Sequence, residues 1–171
     1  LKSMSKLYAL VAKEITKTYG YFPALRGVSL QVPEGGFVTL FGRNGAGKTT
    51  FLKVAATLSR PSSGDLRIHG FDIQEDPEEA RRSLGFLSHN TYVYRDLSPK
   101  ENLRFFSQLY GIDRGEVYLD KLLERVGLAR RKNDPVRSFS RGLAQRVGLA
   151  RVMLHPPSLL MLDEPYTGLD A

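Results

Sequence analysis

The chain has 171 residues, of which 42% are apolar and 25% charged, a composition typical of a folded globular domain. It contains no cysteine, which excludes disulfides, cysteine-ligated metal centres and thiol catalysis. No apolar run approaches the roughly 18 residues that a transmembrane helix needs. Lys and Arg exceed Asp and Glu by 25 to 18, a net charge of +7.

The positive excess is local. Between Lys121 and Arg151, nine basic residues stand against Glu124 and Asp134, so nine minus two gives this stretch all of the +7. Two readings stay open, a surface for an anionic partner and a solvated charged face.

The first third of the chain predicts strand, loop and helix in that order. Alternating residues at Val28 to Val32 predict a half-buried strand ending at Pro33, and Phe37 to Phe41 predicts a second, more buried strand. Apolar residues within Thr49 to Leu58 have helical spacing. Leu66 and Ile68 then predict a short strand.

The middle third is predicted to be helical. Asp76 and Pro77 indicate one helix start, Ser98 with Glu101 forms a capping box for another, and Ser140 precedes a helix reaching Leu154. A further helix carries apolar residues on one face: Leu119, Leu122, Leu123 and Val126. The apolar run Leu159 to Leu162 predicts a strand buried on both faces. The alternation favours an α/β fold, with a parallel-sheet core and an inserted helical region.

One glycine-rich segment fits the pattern G-x-x-x-x-G-K-[ST]. Such a loop directs backbone N–H groups and a helix N-terminus at phosphate, while the lysine bridges β- and γ-oxygens and the threonine hydroxyl binds Mg²⁺. The residues of the pattern are Gly42, Arg43, Asn44, Gly45, Ala46, Gly47, Lys48 and Thr49.

Two carboxylates follow the last predicted strand. Neighbouring side chains at a strand end point in opposite directions, so one can reach the metal shell and the other an attacking water. We assign Asp163 to the metal and Glu164 to the water; a solvated acidic turn is the alternative. Ser140, Arg141 and Gly142 begin a helix and could form a second anion site, the alternative being a plain serine N-cap.

These motifs occur in the order found in the ATP-binding-cassette (ABC) ATPases, which the sequence resembles over essentially its whole length. Tyr19 is similar to the aromatic residue that stacks on adenine, and Phe139 to Arg146 to the signature LSGGQ-x-x-R. Leu159 to Glu164 resembles the Walker B strand. The loop [ST]-G-L-D is matched by Thr167, Gly168, Leu169 and Asp170.

The resemblance implies a P-loop NTPase fold with a RecA-like parallel sheet core, an N-terminal antiparallel β region and an inserted helical subdomain at about 90–155. Residues 1–171 would form a single nucleotide-binding domain lacking the C-terminal part of the family fold. A histidine that follows the [ST]-G-L-D loop in the family has no counterpart before Ala171, so we expect this stretch alone to be inactive as an ATPase.

The resemblance also implies function. We expect ATP and Mg²⁺ as ligands, with Thr50 joining the phosphate loop, and a head-to-tail dimer in which Ser140, Arg141 and Gly142 contact the nucleotide of the second domain. A separate membrane permease would be the other partner, placing the protein in the cytoplasm on the inner face of the cell membrane. We expect no nucleic acid partner.

Departures from the family pattern refine this expectation. In the signature Arg141 replaces a glycine and Leu143 a glutamine, as in variants that resemble bacterial exporter ATPases. His89 falls where the family carries a glutamine that touches Mg²⁺ and water, and imidazole is a poor Mg²⁺ ligand. Three readings stay open: His89 hydrogen-bonds the water, Asn90 takes over the role of the glutamine, or His89 has no catalytic role. A histidine at this position resembles the branch of the family that exports haem.

Aromatic residues follow His89. Tyr92, Val93 and Tyr94 either line a groove for a short helix of the membrane subunit, as the resemblance implies, or pack in the core. Two rival functions stay open, a soluble cassette without a transport role and a binding-only cassette that dimerises on ATP. The membrane subunit would choose the transported substrate, so this sequence does not identify it.

Overall fold

The computed structural model describes residues 7–88, 90–112 and 114–164. They form two compact units. The first comprises the described residues up to Leu84 together with Ser158–Met161, and the second comprises Gly85–Pro157 together with the described residues from Leu162. No helix in these described ranges is long and apolar enough to cross a membrane.

The first unit contains a four-stranded antiparallel sheet, which confirms the predicted antiparallel β region. Its strands are β1 (Tyr8–Tyr19), β2 (Phe22–Pro33), β3 (Ser63–Ile68) and β4 (Phe71–Asp72), in the order β2-β1-β3-β4. The predicted strand at Val28 to Val32 is therefore the second half of a longer one. Ile15 on β1 and Leu66 and Ile68 on β3 are fully buried.

A β-bulge interrupts β1. The pairing of β1 with β2 shifts register between Ala12 and Ile15, and Glu14 between them has a positive φ of 49°. Gly64 of β3 approaches so closely that a Cβ there would lie 2.4 Å from the Glu14 carbonyl oxygen. Only glycine fits at this contact, because any Cβ would clash. The φ of Gly64 is also positive, at 94°, which favours glycine for a second reason.

Two helices complete the first unit, α1 (Lys48–Ala55) and α2 (Pro77–Arg82). Helix α1 ends three residues before the predicted Leu58. Thr57 adopts φ 59°, and the amides of Leu58 and Ser59 both donate to the Lys53 carbonyl, at 2.9 and 3.2 Å. The chain therefore turns back instead of adding another helical turn.

The predicted strand at Phe37 to Phe41 is wrong for this structure. These residues have no regular secondary structure, and Phe37 and Phe41 are 91% and 90% exposed. A strand buried on both faces needs paired neighbours, and neither sheet of the described residues contains a strand that pairs with this segment.

The second unit is mainly helical. It contains α3 (Pro99–Leu109), α4 (Gly115–Arg125), α5 (Arg141–Met153) and two short 3₁₀ turns at Ala129–Arg131 and Val136–Ser138. The Ser98 hydroxyl accepts from the Glu101 amide while the Glu101 carboxylate accepts from the Ser98 amide, so the predicted capping box is confirmed. The core between these helices includes Leu103, Phe106, Leu119, Leu122, Leu123, Leu128, Val147 and Leu154.

Strands β5 (Leu84–Leu87) and β6 (Leu159–Leu162) form a two-stranded sheet. The amide of Leu159 donates to Ser83, and the amide of Asp163 to Leu87, at 3.0 and 2.8 Å. The paired residue numbers increase together along the two strands, from 159 with 83 to 163 with 87, so the strands are parallel. The expectation that both faces of β6 are buried is wrong, because Leu160 and Leu162 are 45% and 40% exposed, with no described layer covering that face.

Candidate functional site

The glycine-rich loop leads directly into α1. The Lys48 ammonium turns back into the loop, and its Nζ donates to the carbonyl oxygens of Gly42 at 2.7 Å and Arg43 at 3.0 Å. The Ala46 amide also donates to the Arg43 carbonyl, at 3.1 Å. The ammonium is therefore held at the start of a helix, beside the backbone that a phosphate would contact.

Two glycines give the loop its shape. Gly45 and Gly47 have positive φ angles of 79° and 89°. A Cβ on Gly47 would lie 2.6 Å from the Ala24 carbonyl oxygen and 2.9 Å from Leu25 Cδ2, both in β2. The loop passes β2 at backbone distance immediately before α1, which places the helix N-terminus.

The chemistry of this loop suits an oxyanion. The first N–H groups of a helix have no partner within the helix, and the aligned peptide dipoles favour negative charge at that end. The Lys48 ammonium adds a full positive charge at the same position. Residues 42–46 are exposed, so phosphate can reach the loop from solvent.

Tyr19 ends β1 at the tip of a hairpin. It pairs with Phe22 across a two-residue turn, and Gly20 supplies the positive φ of 55° that such turns use. Tyr19 is 50% exposed, so a ligand can reach its ring from solvent.

The two acidic residues after β6 have different surroundings. Asp163 is buried, at 3% exposure, and its amide continues the pairing with β5 through Leu87. Glu164 is exposed and has a positive φ of 51°. Non-glycine residues in this conformation are strained and often lie at functional sites.

Ser140 caps helix α5. Its hydroxyl accepts from the Leu143 amide at 3.3 Å, the geometry of an ordinary N-cap. Arg141 and Gly142 form the first turn of α5. The cap interpretation is thus observed, and the anion site at the same residues stays a prediction.

Residue 89 lies outside the described residues, but its neighbours are placed. The Ser88 hydroxyl donates to the Asn90 carbonyl at 2.9 Å and accepts from the Asn90 amide at 3.1 Å, and Gln145 Nε2 donates to the Ser88 carbonyl at 3.1 Å. Gln145 of helix α5 thereby holds the Ser88 backbone. Also outside the described residues lie Thr167, Gly168, Leu169 and Asp170.

The aromatic segment after His89 is only partly buried. Tyr92 and Tyr94 are exposed, whereas Val93 packs against the core of the second unit. The Tyr94 ring meets Phe105 edge-on at 4.9 Å and Phe106 at 6.0 Å between centroids. The contacts of Val93 and of the Tyr94 ring agree with core packing, whereas the exposure of Tyr92 and Tyr94 agrees with an aromatic surface open to a partner.

Ion pairs join α3 to α4 beside the basic stretch. Lys100 Nζ lies 2.9 Å from carboxylate oxygens of both Glu116 and Asp120, and Arg104 Nε lies 2.8 Å from Glu116. The hydrogen bond from Arg104, followed by that from Lys100, lowers the pKa of Glu116 to about 2. Lys132 also pairs with Asp120, at 2.9 Å.

Two other cations of the basic stretch are paired as well. Arg131 pairs with Asp134 at 2.9 Å, and Arg137 with Asp96 at 3.1 Å. These contacts favour the reading of a charged protein face over a surface dedicated to an anionic partner.

Sequence reasoning missed several polar residues that make structural hydrogen bonds. Asn102 and Gln145 are buried polar residues on otherwise apolar helix faces, a pattern that could have marked them. His69 contacts Ser158, and Lys17 contacts Arg60. These partners are separated by 89 and 43 positions in the sequence, so no local pattern reveals the contacts.

Comparison with known proteins identifies relatives of this arrangement. A family model described as ABC transporter matches residues 25–167. The ABC transporter ATP-binding protein NatA of Bacillus subtilis (strain 168) is 41% identical over 150 residues, covering 86% of this chain and 61% of NatA. The bacitracin transport ATP-binding protein BcrA of Enterococcus faecalis is 36% identical, covering 95% of this chain and 53% of BcrA. The chain therefore spans between about half and three-fifths of these two relatives.

A solved structure supports the fold. It is the dimeric post-hydrolysis state of an ATP-binding cassette bound to ADP and Pi, with a TM-score of 0.84 and 28% identity, over 95% of this chain and 76% of that one. This similarity confirms the predicted class, a P-loop NTPase fold.

Proposed function

Because the chain belongs to the ABC transporter family of ATP-binding proteins, we propose that it binds ATP with Mg²⁺ and hydrolyses the ATP in a head-to-tail dimer to drive a separate membrane subunit. The observation that carries the proposal is the Lys48 ammonium, held between two loop carbonyls at the N-terminus of α1. In the proposed complex, phosphate oxygens replace those carbonyls as partners of the ammonium.

Each residue of the site has a distinct role in this proposal. Lys48 and backbone amides within residues 42–50 bind the β- and γ-phosphates. Thr49 and Asp163 supply the hard oxygen atoms that Mg²⁺ prefers, and the ion would neutralise charge on the phosphates. Glu164 orients and polarises the attacking water. Tyr19 stacks on adenine.

The dimer explains the signature residues. Ser140, Arg141 and Gly142 begin α5, and a helix N-terminus is an anion site. In the proposed dimer they contact the nucleotide of the second domain. The dimeric cassette bound to ADP and Pi supports this arrangement. Thr167, Gly168, Leu169 and Asp170 would line the same interface.

The transport partner is proposed from the relatives. BcrA is named for bacitracin transport, and departures at Arg141 and Leu143 favour an exporter. The helical subdomain at about 90–155, with Tyr92 and Tyr94, would contact the permease on the cytoplasmic face of the membrane. The likeness to haem exporters through His89 stays a prediction, as does the inactivity of residues 1–171 alone.

The test compares two variants of the intact protein with its membrane subunit. Lys48→Ala should weaken ATP binding by about tenfold or more, on the order of 1.4 kcal/mol, because a charge-assisted contact to phosphate is lost. Glu164→Gln should keep ATP affinity, accumulate an ATP-dependent dimer on size-exclusion chromatography and lose phosphate release.

The outcome separates the competing functions. A parent protein that dimerises on ATP without steady-state phosphate release would be a binding-only cassette. Parental turnover in the Glu164→Gln protein would remove Glu164 from the mechanism. Unchanged ATP affinity of the Lys48→Ala protein in titration calorimetry would contradict the phosphate loop itself.

A further inference from the structure

A lysine stands over the aromatic ring at the hairpin tip. Lys17 precedes Tyr19 by two residues on β1, so both side chains leave the same face of the strand. Lys17 Nζ lies 5.0 Å from the centroid of the Tyr19 ring, within the range of a cation–π contact. The same ammonium donates to the Arg60 carbonyl oxygen at 2.6 Å.

The end of β1 is bound to the segment after α1 by further hydrogen bonds. The Thr18 amide donates to Ser62 Oγ at 3.0 Å, and the Ser62 amide donates to the Thr16 carbonyl at 2.9 Å. The hydroxyls of Thr16 and Ser63 are 2.7 Å apart. The segment 60–63 follows the helix that begins at Lys48, so these bonds connect the hairpin to the phosphate-loop helix.

We propose that Lys17 is a positioning residue for the nucleotide base, acting through Tyr19. Its ammonium occupies one face of the Tyr19 ring, which orients the ring and leaves the opposite face for adenine. The Arg60 carbonyl fixes the ammonium, so the ring is held before the nucleotide arrives. A half-exposed tyrosine without this contact samples more rotamers, and binding must then order it. The inference rests on the proposed stacking of Tyr19 on adenine.

The experiment measures affinity with and without the base. The intact protein is titrated by calorimetry with ATP, with ADP and with inorganic tripolyphosphate, which retains the phosphates alone. Lys17→Met keeps the apolar stem and removes the charge. We expect ATP and ADP affinities to fall about two- to fivefold, the range of an exposed cation–π contact, and tripolyphosphate affinity to stay unchanged.

Two further variants serve as controls. Lys17→Arg keeps a cation that can lie over the ring, so it should restore most of the affinity. Lys13→Met removes a lysine at an exposed position on the same strand and should match the parent. Thermal unfolding of each variant shows whether the strand itself is intact.

A double-mutant cycle isolates the route of action. In a Tyr19→Ala background, Lys17→Met should cost no further ATP affinity. The inference is overturned if Lys17→Met binds ATP like the parent, if tripolyphosphate weakens equally, or if the loss persists without Tyr19. Parental ATP affinity in Tyr19→Ala alone would overturn the stacking and the inference together. Weakened Tyr19→Ala with parental Lys17→Met would overturn the inference alone.

Discussion

Gly47 offers the sharpest test of the phosphate loop, because two different constraints meet at this residue. Its φ of 89° is in the left-handed region, and an added Cβ would lie 2.6 Å from the Ala24 carbonyl oxygen, inside any normal contact distance. Gly45 supplies the matched control. Its φ is 79°, and a Cβ there meets nothing within 4 Å.

The two alanine variants therefore separate backbone strain from steric clash. Gly45→Ala should lower the free energy of unfolding by about 1–2 kcal/mol, the cost of a left-handed alanine. Gly47→Ala carries the same strain and adds about 1–3 kcal/mol, since the Ala24 carbonyl oxygen is a backbone atom of β2 and cannot rotate away as a side chain could. The total for Gly47→Ala is about 2–5 kcal/mol.

Urea unfolding of both variants gives the difference directly. ATP affinity provides the second readout, because a shift of the loop against β2 also moves the helix N-terminus. We expect Gly47→Ala to lose more ATP affinity than Gly45→Ala. Equal stability of the two variants, to within about 0.5 kcal/mol, would refute the close packing of Gly47 on β2.

Two further predictions concern electrostatics and long-range hydrogen bonds. Because Arg104 and Lys100 lower the pKa of Glu116 to about 2 from its ordinary 4.5, the charged carboxylate stabilises the fold above pH 4.5 and that contribution is lost as pH falls toward 2. Glu116→Gln should therefore flatten the dependence of unfolding free energy on pH in this window, as measured by urea titration, and an unchanged slope would exclude the ion pairs. The His69 ring contacts Glu34 at 2.6 Å and Ser158 at 2.9 Å. His69→Ala should therefore lower the free energy of unfolding by about 1 kcal/mol more than Ser158→Ala does. Equal losses in the two variants would show that the contact with Glu34 does not stabilise the fold.

The sequence predicted those parts of the fold that depend on local signals. The helix starts at Ser98 and Ser140 were found because a cap needs only the residues of its own first turn. The prediction of a phosphate loop is local in the same way. Its function depends on the spacing of Gly42, Gly47 and Lys48 along one short segment.

The failures share a physical cause, dependence on distant partners. The bulge at Glu14 breaks the alternation of buried residues along β1, so no simple strand pattern marks this element. Phe37 to Phe41 has the composition of a buried strand, but pairing decides whether such a run becomes one. The link from Lys17 to Arg60 depends on β1 meeting the segment after α1, which no local pattern contains.

Asn102 shows how a single buried polar group holds a loop. It is fully buried in α3, where its Oδ1 accepts from the Tyr94 amide at 2.8 Å. Its Nδ2 is shared among three carbonyls, those of Tyr94 at 2.9 Å, Ser98 at 3.0 Å and Leu97 at 3.3 Å. The side chain thus holds the loop that presents the Tyr94 ring.

Replacing this side chain should loosen that loop. Asn102→Ala leaves the Tyr94 amide and carbonyl without their partner, at a cost of about 1–3 kcal/mol for each group that stays buried. Asn102→Asp keeps the acceptor for Tyr94 but turns a carboxylate oxygen toward three carbonyls, so we expect a larger loss. Hydrogen exchange should show faster opening of residues 90–98 in Asn102→Ala, with smaller changes in α4. Parental exchange at the Tyr94 amide would show that the ring contacts with Phe105 and Phe106 hold the loop unaided.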